Sequence, residues 1–111
     1  MKGSLGALCI AVATAVAVDS APARAYDGIA LKKWAEDYAN NAGFNAGLYA
    51  GYVIAVKDVF DNILFCIPGG ATNAQIVNAV SVYIQQHPDK LNDRAHAIVT
   101  SGLIAAFPCK K

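Results

Sequence analysis

Reactive side chains are scarce in this chain, and their spacing decides what chemistry it can host. Its 111 residues hold three cysteines, at positions 9, 66 and 109, and two histidines, His87 and His96. The histidines are nine positions apart, not at ligand spacing, and a tight metal site takes three or four suitably spaced ligands. Surface or capping roles fit them better, His87 in particular at a helix end where a cation favours the helix dipole. Asp58 and Asp61 lie one helical turn apart, in the manner of an acid pair, but their neighbourhood reads as a solvated polar strip. Cys66 and His87 could imitate a thiol nucleophile with its base, yet a sulfur held in a disulfide cannot serve. No G-x-S-x-G elbow, phosphate loop or zinc signature occurs. These residues point away from an enzyme, with no catalytic residue, metal or cofactor expected.

The cysteines raise a different question, since Cys109 stands two residues from the last position. A free thiol on a frayed end is exposed and easily oxidised. The first residues read as an export signal, 1–25: Lys2 gives the positive start, Gly6 to Val18 is an uncharged apolar run, and Ala23 and Ala25 suit the cleavage site. The run is short for a bilayer span, which needs about 20 residues. Cleavage after Ala25 removes Cys9 and leaves a mature domain, 26–111, with Cys66 and Cys109 in an oxidising compartment where a disulfide persists. An intramolecular bridge is then expected. Two free thiols or an intermolecular bridge are the alternatives. Closing that loop stabilises by about 4 kcal/mol in the chain-entropy account. The mature domain carries seven acids and seven bases. That balance offers no steering toward nucleic acid or an anionic membrane. A domain this small gains from a staple or from dimerisation.

Helical spacing dominates the mature sequence. The first helix is expected from Ile29 to Asn41, with Leu31, Trp34, Ala35 and Tyr38 on one stripe and Gly43 marking the end. The second covers Ala46 to Phe65. There Gly43, Gly47 and Gly51, and likewise Ala42, Ala46 and Ala50, recur every four residues. That spacing reads as a buried central helix that lets neighbours approach closely. Pro68 with Gly69 and Gly70 breaks the pattern. Thr72 and Gln75 then form a T-x-x-Q capping box at the start of a third helix. It runs to Gln86, with Ile76, Val77, Val80, Tyr83 and Ile84 inward and Asn73, Asn78, Ser81 and Gln85 toward water. After "HPDKLND" a fourth helix spans Asp93 to Ala106 and stops at Pro108. The bridge would tie its end to the end of the second helix. The fold class is all-α: a compact four-helix domain with one disulfide.

Four landmarks occur in order: "GYVIAVKD" at 51–58, "FCIPGGATNAQIV" at 65–77, "YIQQHPD" at 83–89 and "AAFPC" at 105–109. Together they resemble the Rap/Tai family of immunity proteins associated with type VI secretion amidase effectors. The early Trp34 fits the family too. Members often carry a second cysteine pair where this chain has Ala35 and Tyr49, and a glycine where it has Ala55. The resemblance implies a periplasmic antitoxin, an all-helical homodimer that covers the cleft of a peptidoglycan amidase. It also implies that the connection between the last two helices, His87, Pro88, Asp89, Lys90 and Leu91, with the polar face of the third helix, contacts the partner. An ordinary helix connection is the alternative for these residues. For the whole protein, the alternatives are a periplasmic acid-stress chaperone of the Hde type and an orphan protein-binding domain of the same fold.

Overall fold

The computed structural model describes residues 25–110. The expected export signal, all of it but Ala25, lies outside the described residues. Four α-helices follow one another: α1 (Gly28–Ala39), α2 (Gly43–Phe60), α3 (Asn73–Gln86) and α4 (Ala95–Ala106). A 3-10 turn, Pro88–Lys90, sits between α3 and α4. Extended structure among the described residues is limited to two isolated bridges, Asp27 with Arg94 and Asp61 with Phe65.

The starts of α1, α3 and α4 have a local or borrowed cap, whereas α2 follows Ala42 with no side-chain cap. The Asp27 carboxylate accepts the Ala30 amide at 3.0 Å and opens α1. Along its outer face Lys32 pairs with Glu36 at 2.9 Å and Lys33 with Asp37 at 3.1 Å, each one turn apart. The Asn45 amide donates to Asp37 at 2.9 Å, tying α1 to the start of α2. This bond, with Lys33, holds the Asp37 carboxyl below the usual carboxylate range. The capping box expected at 72–75 is present in both halves. The Gln75 amide donates to the Thr72 hydroxyl at 3.1 Å, and the Thr72 amide donates to the Gln75 side chain at 2.9 Å.

α1 packs chiefly on α2 and α3 chiefly on α4, and all four share one core. Leu31, Tyr49, Val53, Val80, Val99 and Leu103 are fully buried in it. Gly102 brings α4 close to α3: a Cβ there would meet the Tyr83 Cβ at 3.1 Å.

α2 corrects two expectations. It starts three residues early and ends at Phe60, not Phe65. The apolar run Ile63-Leu64-Phe65 is not helical, because Asn62 adopts the left-handed region at φ 65°, which asparagine tolerates better than most residues. The Asp61 carboxylate accepts the Ile67 amide at 2.9 Å, and Asn62 donates to the Phe65 carbonyl at 2.8 Å. Asp61 therefore shapes a turn and is not simply part of a solvated strip. The turn swings Phe65 into the core and leaves Ile63 outside.

Nor is α2 a buried central helix. Only Tyr49 and Val53 are buried on it. Apart from the helix's own backbone and their chain neighbours, Gly47 and Gly51 have no atom within 4 Å of where a Cβ would sit. The other helices cover only the side of α2 that carries Tyr49 and Val53. The opposite side, with Phe44 81% and Val59 61% exposed, stays open.

Cys66 and Cys109 form a disulfide with an S–S distance of 1.99 Å. It fastens the tail beyond α4 to the turn past α2, six residues after that helix ends, and not to the helix itself. The Cys66 amide also donates to the Phe107 carbonyl at 2.8 Å beside the bridge.

Candidate functional site

His87 terminates α3 and begins the connection to α4. Its amide donates to the Ile84 carbonyl at 3.3 Å. Its ring lies over the Tyr83 ring, centroids 3.9 Å apart and 21° from parallel. Nδ1 is 2.9 Å from the Tyr83 carbonyl. A carbonyl oxygen can only accept, so Nδ1 carries the hydrogen in that bond. Pro88 follows at the first position of the 3-10 turn, where its missing amide hydrogen costs nothing. Lys90 donates to the His87 carbonyl at 3.0 Å and Asp93 to the Lys90 carbonyl at 2.9 Å. The backbone is closed on itself in two successive turns.

The five residues divide by burial. His87 and Leu91 are half-buried, and Leu91 packs against the core. Pro88, Asp89 and Lys90 are exposed. The outer two anchor the connection and the inner three are presented to solvent. One of the three is an acid, one a base and one a rigid apolar ring. Such a tip offers shape and mixed charge but no nucleophile or general base with a partner.

Beside the tip, the polar face of α3 forms one wall of a groove of about 400 Å³. Asn78 and Gln85 line it from α3, and Lys32, Ala35 and Glu36 line it from α1. Ser81 departs from its expected role. It turns inward, with Oγ 2.8 Å from the Tyr49 hydroxyl. Burial pushes the Tyr49 phenol up to about 12, against the opposing pull of that Ser81 bond. Ser81 thus joins α3 to α2 at the base of the groove.

The remaining candidates are placed as follows. Cys66 is spent in the disulfide and cannot partner His87. His96 is exposed on α4. Among the described residues no group of three His, Cys, Asp or Glu is placed to hold a metal ion. No helix among them is long and apolar enough to cross a membrane.

Two residues important to the connection went unread in the sequence. Gly28 donates its amide to the Asp93 carbonyl at 2.9 Å, and Tyr26 accepts the Ala95 amide at 2.8 Å. Both are backbone contacts between distant parts of the chain, and no side-chain pattern announces them. A family model described as Rap1a immunity proteins matches residues 6–109. No curated protein matches the chain.

Proposed function

The chain belongs to the Rap1a immunity proteins, and from that premise we propose that it is an exported, periplasmic antitoxin that binds a type VI secretion peptidoglycan amidase and occludes its cleft. The family match, over nearly the whole chain, carries this reading. Membership in an immunity family accords with a protein that acts by binding. Occlusion needs a rigid protrusion and enough buried surface, about 800 Å² per partner for a standard interface. The tip at His87–Leu91 suits the first requirement, because its backbone is internally bonded and anchored at both ends. The groove-lining face of α3 extends the contact surface beside it.

The experiment is direct. The processed protein is mixed with cell-wall amidases of the type VI class, and complex formation and residual hydrolysis are measured. The triple variant Pro88→Ala, Asp89→Ala, Lys90→Ala is expected to keep its urea midpoint and lose affinity by about tenfold or more, as truncation of central contact residues does. Undiminished binding by that variant overturns the tip assignment. Failure of the unmodified protein to bind any amidase encoded beside it overturns the function.

The same reading makes the protein a homodimer. What supports it is the open face of α2, where Phe44, Gly47, Gly51 and Ala55 are exposed together. In an antiparallel pairing about a two-fold axis, the large Phe44 of one copy lies over the small residues of the other, which is the self-complementarity an isologous contact requires. Sedimentation velocity is expected to give a dimer, and Phe44→Glu a monomer of unchanged helicity. A dimer that persists in the variant places the contact elsewhere.

A further inference from the structure

The start of α4 has no side-chain cap. Arg94 occupies the capping position with an extended backbone, and no acid stands in the first turn. Its first amide, on the fully buried Ala95, is accepted by the Tyr26 carbonyl at 2.8 Å. The first amide of α1, on Gly28, is accepted in return by the Asp93 carbonyl at 2.9 Å. The two helix starts cap one another through an antiparallel bridge of Asp27 with Arg94. Directly beneath, the Gly28 backbone lies on the connection itself. A Cβ at Gly28 would sit 2.7 Å from both the Cα and the carbonyl oxygen of Leu91, and 2.5 Å from the Ile98 Cδ1. Only a glycine permits that approach. The Tyr26 ring is held edge-on against Trp34, centroids 4.7 Å apart, which keeps the segment in place.

We propose that Tyr26, Asp27 and Gly28 form a strap whose backbone sets the geometry of the α3–α4 connection, making Gly28 a positioning residue for the tip at 87–91. The proposal rests on the reading of that tip as the partner-contacting surface. The 3-10 turn closes the first half of the connection by its own hydrogen bonds. The second half, Leu91 to Arg94, has one such bond, from the Asp93 amide to the Lys90 carbonyl, and otherwise leans on the strap, which supplies a carbonyl, an amide and a flat backbone surface. The amino-terminal end of the mature domain thereby decides the angle at which Pro88, Asp89 and Lys90 are presented.

The test compares the processed protein with Gly28→Ala and Tyr26→Ala. Amide exchange is followed residue by residue, and trypsin cleavage after Lys90 and Arg94 is timed under native conditions. Gly28→Ala separates strap from connection, so exchange at 87–95 and cleavage there should accelerate by about tenfold or more. Exchange in the centres of α2 and α3 should stay unchanged, as expected for a local opening. Tyr26→Ala, at an exposed ring, keeps the fold and should give a smaller acceleration in the same segment. Unchanged exchange at 87–95 in both variants overturns the strap. So does an acceleration spread evenly over all four helices, which marks a general loss of stability. Neither readout involves a partner, so the strap can fail while the tip assignment stands, and the binding assay can overturn the tip while the strap stands.

Discussion

Replacing Tyr49 with phenylalanine should make the domain less stable at neutral pH and more stable in alkali. At neutral pH the variant loses the 2.8 Å pairing with Ser81 Oγ, whose remaining partner is the Val77 carbonyl at 3.4 Å. A net hydrogen bond of this kind contributes about 1 kcal/mol. In alkali the balance changes. The phenol ionises near 10 in the unfolded chain and at about 12 in the folded one, because burial disfavours the phenolate. Between those values the folded protein holds a proton that the unfolded chain has released, so stability falls as pH rises. The Tyr49 contribution is intact below about pH 10 and wholly lost above about pH 12, a change of about 3 kcal/mol at about 1.4 kcal/mol per tenfold.

The phenylalanine variant has no such loss. The two stabilities should cross between about pH 10.5 and 11, and by about pH 11.5 the variant should be ahead by about 1 kcal/mol. Tyr52, which burial also shifts upward, is present in both proteins and cancels in the difference. The assay is urea unfolding followed by far-ultraviolet circular dichroism from pH 7 to 11.5, with the disulfide intact. Parallel curves across that range would refute the argument, since they would mean that the Tyr49 hydroxyl ionises equally easily in the folded and unfolded chains.

Gly102→Val should be more damaging than Gly102→Ala. The alanine methyl needs a shift of a few tenths of an ångström from Tyr83, whereas valine adds two methyl groups to the same gap and should cost about 1–3 kcal/mol by overpacking. Because Tyr83 carries the stacked His87 ring, the valine variant should also shift the His87 imidazole resonances in NMR. Unmoved resonances would detach the tip from the α3–α4 packing. The double variant Cys66→Ala, Cys109→Ala should lose about 4 kcal/mol in urea unfolding, from the loop closed across 43 positions. A loss below about 1 kcal/mol would mean that the unfolded chain is already compact there.

Much of the architecture was legible because its signals are local. Thr72 and Gln75 satisfy one another three residues apart, so the capping box could be read directly and α3 begins where it predicts. Pro108 ends α4 for an equally local reason. The disulfide is expected from cysteine parity together with the expected export. The limits of α2 were misread because Ile63, Leu64 and Phe65 continue the helix's apolar character, while the interruption lies in one left-handed residue, Asn62, and one side-chain bond from Asp61 to the Ile67 amide. The glycine repeat was misread because spacing reveals a face of small residues and says nothing of whether another helix lies against it. Periodicity places Ser81 toward water, but a hydroxyl beside a buried phenol has a better partner inside. The tip residues came from the family resemblance, since nothing in their own spacing marks them. The strap is backbone pairing across more than sixty positions, which no residue pattern encodes.

The two ends of α4 are secured by different physics, and that difference bears on function. Twelve residues at 1.5 Å each place about 18 Å between its first turn and its last. Just beyond the last turn the tie is covalent, through Cys109 to Cys66, and is made only under oxidising conditions. At the first turn it is the reciprocal capping of Gly28 with Asp93 and Ala95 with Tyr26. Those bonds need no oxidant and form whenever the chain folds. Removing the disulfide should therefore speed amide exchange at 61–67 and 105–110 while leaving 87–95 protected, provided measurements stay well below the new unfolding midpoint. Gly28→Ala should give the opposite pattern. If reduction instead loosens the tip as much as it loosens the tail, α4 moves as one body and the separation fails. If the patterns hold, the bridge serves the endurance of the domain, and the strap, together with the connection's own turns, sets the shape it presents.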